Sequence, residues 1–330
     1  MRPFAYRRAD DAAEAVRAGA AGGAFLAGGT TLVDLMKLEV ARPPRLIDIN
    51  PLARDHAAIK AGPEGLQLGA LARMADVAAD PAVRRDYPVI AQSLDLAASG
   101  QIRNMASLGG NVLQASRCPY FRDISWGACN KRVPGSGCSA LAGVNRGHAV
   151  LGVSQACISA YPGDFAQALI ALDATVTVAG LAGPRRLPFE DLHRPVSDGP
   201  HLETRLRPGE LILGFAIPPG PWTRRSLYLK VRDRQSFEFA RAAAAVAVDL
   251  DSAGVVREVR IAIGGLAYRP WRARGAEAVL RGRLLDEAAA RAAATAAFAG
   301  AVTHGGNDFA PELGRRAVAR ALMSARGLEV

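Results

Sequence analysis

The stretch "GAFLAGGTTLVDLMKLE", residues 23–39, reads as a strand, a Gly-Gly turn and a helix. Gly28 and Gly29 carry no Cβ, so backbone N–H groups can approach an anion there. Thr30 and Thr31 add hydroxyl donors where the helix begins. A nest of this kind at a helix start suits a pyrophosphate. The helix-end charge supplies only about 0.3–1 kcal/mol, so such a site depends on several directed hydrogen bonds. A plain strand-to-helix turn is also compatible with these residues alone.

A second loop rich in Gly, Ser and Asn follows at 98–114, "ASGQIRNMASLGGNVLQ", bracketed by apolar residues. Its glycines are expected to break any helix. Two such loops can clamp the two ends of one dinucleotide, although neither has the G-x-G-x-x-G spacing of a Rossmann turn. There is no Ser–His–Asp order, no carboxylate pair and no H-x-x-x-H pair, so hydrolytic and single-metal catalysis have no candidate.

Outward from the loops, residues 10–19 read as a helix opened by Asp10 and Asp11. "RLIDIN" and "GLQLGA" alternate like strands, and "PVIAQSLDLAAS" has helical spacing. "QACISAY" reads as a strand, "GDFAQALIALDA" as a helix, and "ATVTVAG" and "ELILGFAIPPG" as strands. Pro218, Pro219 and Gly220 mark a domain boundary, giving an N-terminal domain over 1–222 and a smaller one over 223–330. The second begins with the strands "SLYLKVR", "AAAAVAVDLD" and "VREVRIAIGGLA", with "DSAG" as a tight turn, and ends in two alanine-rich helices. Strands followed by helices indicate an α+β domain on an antiparallel sheet.

The net charge of +10 raises nucleic acid as a partner. The arginines are scattered, however, only four residues are lysine, and aromatic residues do not interleave with basic clusters, so nucleic acid is not expected. No apolar run approaches the roughly 20 residues of a membrane span. The N-terminal segment has neither the apolar core nor the cleavage site of a secretory signal. The expected location is the cytoplasm, or the periplasm by co-export with a signal-bearing partner.

All four cysteines fall within one eighth of the chain, Cys118, Cys129, Cys138 and Cys157, spaced C-x10-C-x8-C-x18-C. The segment "SRCPYFRDISWGACNKRVPGSGC" (116–138) has no hydrophobic pattern, so something other than a core must order it. Two disulfides, buried free thiols, a zinc site and an iron–sulfur cluster are all open. Zinc sites usually carry close C-x2–4-C pairs, which are absent. Four separated thiolates among Gly and Pro suit a cubane cluster. Arg117, Arg122 and Arg132 would then offset cluster charge or meet an acidic partner.

"LAGGTTLVDLM", "QIRNMASLGGNVLQ", "GDFAQALIALDATV", "RPGELILGFAIP" and "LYLKVRDRQSFEFA", in that order, resemble the FAD-binding subunit of the molybdenum hydroxylases, relatives of xanthine dehydrogenase. The cysteine segment is similar to the periplasmic aldehyde oxidoreductase branch, whose flavin subunit also holds a [4Fe-4S] cluster. The resemblance implies a PCMH-type FAD-binding domain of two subdomains, with a cluster loop inserted at about 116–157, and a CO dehydrogenase flavoprotein-type C-terminal domain.

By resemblance, Leu26, Ala27, Gly28, Gly29, Thr30, Thr31, Leu32, Val33 and Asp34 wrap the FAD pyrophosphate. Ser107, Gly109, Gly110 and Asn111 form the second cofactor loop. Asp164 hydrogen-bonds the cofactor, Leu213 lies where a strand backbone passes the flavin, and Lys230 stands near its ring. A surface ion pair with Asp233 is the other reading of Lys230. The four cysteines would bind the [4Fe-4S] cluster, with Cys157 on a strand. Because the flavin loops lie elsewhere in sequence, cysteine replacement is expected to cost less FAD than cluster.

The implied complex is an αβγ heterotrimer with a molybdenum-cofactor subunit and a subunit carrying two [2Fe-2S] clusters. It oxidises an aldehyde, with electrons passing from the [2Fe-2S] clusters through FAD to an external acceptor. The alternatives are the flavin subunit of an N-heterocycle dehydrogenase or of a benzoyl-CoA-type reductase. A zinc-stapled binding module without flavin is the alternative of another class.

Overall fold

The computed structural model describes residues 1–330 and contains three sheets. The first is small and parallel. β1 (Ala5–Arg8) and β2 (Ala24–Leu26) flank β3 (Arg45–Asp48), with Leu26 opposite Asp48. The parallel pairing needs a crossover, which the helix Ala12–Ala20 supplies between β1 and β2. Asp11 caps that helix by accepting from the Glu14 N–H at 2.7 Å.

The second sheet is antiparallel, in the order β4 (Ile59–Gly62), β5 (Gly65–Gly69), β8 (Leu211–Ile217), β6 (Thr175–Gly180), β7 (Gly183–Pro188). The third, also antiparallel, runs β12 (Trp271–Arg272), β11 (Val256–Gly264), β10 (Ala242–Leu250), β9 (Ser226–Val231).

β10 shows how the halves are joined. Successive side chains of a strand point to opposite faces. Ala243, Ala245 and Ala247 pack into the core that also holds the second sheet and the helices Pro88–Asp95 and Phe165–Ala171. Ala242, Ala244, Val246 and Val248 pack into a separate core with the helices Glu287–Ala297 and Ala310–Arg326. A strand covered on both faces reads as a continuous apolar run, and small side chains let both layers approach closely.

Two expectations need correction. "QACISAY" is not a strand: Cys157 makes one isolated bridge, to Ser154, inside a tight turn. The next residues bond to single backbone groups, Ala149 N to Ile158 O and Tyr161 N to Ala267 O, both at 2.9 Å. Burial of Ile158 and Tyr161 mimics a strand pattern without a ladder. Nor do glycines abolish helix in the second loop, which folds as two short helices, Gly100–Met105 and Leu108–Val112. Ser99 and Ser107 cap them, accepting from Ile102 N and Gly110 N.

A buried ion cluster ties the helix Phe165–Ala171 to the third sheet. Arg272, 3% exposed, pairs with Glu277, 1% exposed. It also reaches Asp173 and the Ile170 carbonyl, both at 2.7 Å. Glu277→Ala would leave Arg272 only the half-exposed Asp173 as an acidic partner and is expected to destabilise the protein in denaturant unfolding, by less than the roughly 3–5 kcal/mol of a buried charge left wholly unpaired. Arg272→Met in the same chain should restore much of that loss.

Candidate functional site

The two glycine loops meet backbone to backbone. A Cβ on Gly28 would stand 1.9 Å from the Met105 carbonyl oxygen, so only glycine fits. Gly29 has φ +72°, the left-handed region that favours glycine, and its position is backed by Val33 and Leu26. Gly109 donates to Ala70 O at 2.8 Å, with room for no more than a strained Cβ. A brace fixes the spacing: Asn50 donates to Ala27 O at 3.1 Å, and Arg73 donates to Asn50 Oδ1 at 3.0 Å and also to Met105 O. Nothing in the sequence near Asn50 or Arg73 marks this role.

Two adjoining cavities lie along the contact, of roughly 350 and 460 Å³, within the range of cofactor sites. Thr30, Thr31 and Gly110 border both. The smaller is lined by Ala27, Gly28, Gly29, Leu32, Ser107 and Gly109, and the larger by Asp34, Asn111 and Asp164. Leu26 and Val33 border neither cavity and support the loop from behind. Leu213 borders neither. Its carbonyl accepts from Ala70 N at 3.0 Å, while its neighbours Leu211 and Ile212 line the smaller cavity. Asn111 Oδ1 is buried without a hydrogen-bond partner, as expected of a group awaiting a ligand.

Asp34 accepts from Arg122 at 2.8 and 3.0 Å and from Arg117 at 3.1 Å. Foremost the Arg122 hydrogen bond holds its carboxyl below the usual range. Both arginines come from the cysteine segment and also line the larger cavity. Asp34 therefore neutralises and orients two cations that face the cavity, a role suited to diphosphate recognition. Cluster charge and an acidic partner are the expected counterparts of these arginines; in the fold Arg117 and Arg122 also bind Asp34. The pairing ties the cysteine segment to the flavin loop in space.

Phe237 and Phe239, on the β9–β10 connection, line the same cavity, and Arg117 stacks 5.0 Å from the Phe239 ring centroid. No sequence motif singles these aromatics out.

Lys230 is 1% exposed and donates to Asp164 at 2.7 Å and to Leu96 O at 3.0 Å. Tyr228 donates to the other Asp164 oxygen at 2.6 Å. The ion pair with Asp233 is absent, because Asp233 pairs with Arg241. Lys230 acts through Asp164: Asp164 lines the larger cavity and Lys230 does not.

The cysteine segment is ordered by polar contacts more than by apolar ones. Arg132 donates to the carbonyls of Tyr120, Phe121 and Asp123 at 2.6–2.9 Å, and also to that of Trp126. Cys129 and Cys138 face each other across an antiparallel bridge. All four cysteines are free thiols, which sets the disulfide reading aside.

The thiols also affect one another. The neighbouring Cys157 thiol draws Cys138 below the usual thiol range, and Cys157 is raised in turn. Burial pushes Cys118 up to about 11, and the charges of Cys157 and Cys129 add to this. No three His, Cys, Asp or Glu side chains are arranged to hold a single metal ion. A polynuclear cluster spreads its ligand sulfurs more widely than one ion does. The four free thiols are the side chains that would hold such a group.

Fold and cavity together define a two-loop nucleotide-cofactor domain fused to an antiparallel sheet-and-helix domain. Residues 2–220 match the family described as FAD binding domain in molybdopterin dehydrogenase, and residues 227–325 match the CO dehydrogenase flavoprotein C-terminal domain. The chain is 44% identical to the aldehyde oxidoreductase FAD-binding subunit PaoB of Escherichia coli, over 99% of each chain. It is 27% identical to the 6-hydroxypseudooxynicotine dehydrogenase complex subunit alpha of Paenarthrobacter nicotinovorans, over 98% of this chain and 96% of that one. It superposes on carbon monoxide dehydrogenase from Hydrogenophaga pseudoflava with a TM-score of 0.75 and 26% identity, covering 98% of each chain. The chain belongs to the FAD-binding subunits of the molybdopterin dehydrogenases, a family of oxidoreductase subunits. A zinc-stapled module without flavin is thereby excluded.

Gly28→Ala is expected to remove most of the bound FAD, because the clash is with backbone. Gly110→Ala, which meets only the Ser107 hydroxyl at 3.1 Å, should retain far more. Flavin per chain after purification distinguishes the two. Asp34→Ala should lower flavin content and also make residues 116–140 sensitive to limited proteolysis, whereas an effect on one without the other would contradict the tether.

Proposed function

We propose that the chain is the FAD- and [4Fe-4S]-binding electron-transfer subunit of a molybdenum-dependent aldehyde oxidoreductase complex. Residues 1–222 form its flavin domain and 223–330 its C-terminal domain. The observation that carries this reading is 44% identity, over essentially the whole chain, to a relative described as an aldehyde oxidoreductase FAD-binding subunit. Similarity to the subunit of a nicotine-derivative dehydrogenase is much lower, which favours aldehyde over N-heterocycle chemistry.

Bound FAD supplies the exchange between one- and two-electron chemistry. The residues of this chain hold and orient it. Gly28, Gly29 and the Thr30–Thr31 pair admit backbone and hydroxyl donors to the diphosphate. Arg117 and Arg122, oriented by Asp34, offset its charge, and Ser107, Gly109, Gly110 and Asn111 close the opposite wall. Asp164, set by Lys230 and Tyr228, presents a carboxylate to the larger cavity.

Cys118, Cys129, Cys138 and Cys157 hold the cluster on the adjoining segment. The partners are a molybdenum-cofactor subunit and a [2Fe-2S] subunit in an αβγ heterotrimer. The first oxidises the substrate, and the second delivers electrons to this chain for an external acceptor.

The purified complex, mixed anaerobically with an aldehyde, should lose its flavin absorbance. Bleaching by an N-heterocycle but by no aldehyde would overturn the substrate assignment. Neither cavity is lined by His or Cys, the usual sites of covalent flavin attachment. Denaturation should therefore release all the yellow colour, and colour left on the polypeptide would contradict non-covalent binding. Replacing any one cysteine by serine should abolish or strongly weaken this chain's cluster, leaving the iron of the [2Fe-2S] subunit. Because Arg117 and Arg122 lie on the same segment, some FAD should be lost with the cluster.

A further inference from the structure

We propose that His148 is a positioning residue for the iron–sulfur cluster, donating its Nε2–H to the sulfur of Cys118 and raising the cluster's reduction potential. The inference rests on the cluster reading above and concerns a residue outside the four-cysteine set. His148 Nε2 lies 3.2 Å from Cys118 Sγ, within hydrogen-bond range for sulfur, and the histidine is only 4% exposed.

The tautomer follows from the sulfur, not from the other side of the ring. Nδ1 is buried and has no partner in either tautomer, so it leaves Nε2 free to carry the proton. A proton on Nε2 leaves Nδ1 as a bare acceptor and points the N–H at the sulfur. A sulfur bonded to iron has no proton of its own and can only accept. Hydrogen bonds to cluster sulfurs are among the factors that set the potential. A donor stabilises the more negative, reduced cluster more than the oxidised one.

The backbone that carries the ring is held from two directions. The His148 N–H donates to Asn145 O at 2.9 Å, and Asn145 in turn donates to His304 O at 2.7 Å. Asn307, fully buried, donates to the carbonyls of His148 and Ala149, both at 3.3 Å. The turn at residues 304–307, in the C-terminal domain, thus fixes the backbone that aims the imidazole. This gives that domain a part in the electronics of the cluster as well as in packing.

The test is a redox titration of the purified complex followed by low-temperature EPR, with iron and flavin counted in each sample. His148→Leu should keep its iron and FAD and shift the cluster's midpoint to more negative potential. His148→Gln, whose amide can donate, should shift it less. A His148→Leu complex with full iron and an unchanged midpoint would overturn the hydrogen-bond role alone. Loss of iron with FAD retained in both variants would overturn it in favour of His148 as a ligand. A wild-type complex with no iron beyond that of the [2Fe-2S] subunit would overturn the cluster reading itself, and the proposal with it.

Discussion

The fit of Gly28 against the Met105 carbonyl is the constraint on which the site depends. At that point two loops, far apart in sequence, touch through backbone alone, and any side chain would separate them. The contact closes one wall of both cavities and leaves backbone donors free to face into them. Asn50 and Arg73 bridge the same loops through hydrogen bonds, so the spacing is set by covalent geometry and polar contacts together. Hydrophobic packing contributes on the outer side only, where Leu26 and Val33 support Gly29.

A second layer of organisation runs through Asp34. Its carboxylate belongs to the flavin loop, yet both arginines that bind it come from the cysteine segment. Flavin loop and cluster segment are therefore coupled by charge-assisted hydrogen bonds that are half-sheltered from water. Arg132 performs a related task within the segment, collecting the backbone carbonyls of Tyr120, Phe121 and Asp123. A stretch with so little apolar content is held by arginines and, in the proposed holoprotein, by metal–thiolate bonds.

Much of this was legible in the sequence, and the limits follow a physical pattern. The helices at 12–20 and 165–171 and the strands β10 and β11 carry strong local patterns, and they fold as read. The two glycine loops announce themselves because glycine tolerates conformations that other residues resist. "QACISAY" misleads because burial by scattered neighbours imitates the pattern of a ladder. The short helices at 100–105 and 108–112 were hidden because serine caps at Ser99 and Ser107 compensate for their glycines. Asn50, Arg73, Phe239 and His148 owe their roles to long-range contacts, for which local composition carries no signal. Lys230 is the clearest case: its nearest acid in sequence is Asp233, and its partner in space is Asp164.

The most direct test of the account is the content of flavin, iron, acid-labile sulfide and zinc per chain in the native complex. The native complex should contain one FAD, eight iron and eight sulfide, four of each in this chain's cluster and four in the two [2Fe-2S] clusters, with a separate cluster signal in EPR after reduction. One zinc with only the iron of the [2Fe-2S] subunit would remove the electron-transfer role of the cysteine segment. An absence of flavin would contradict the reading of the two loops on which everything else rests.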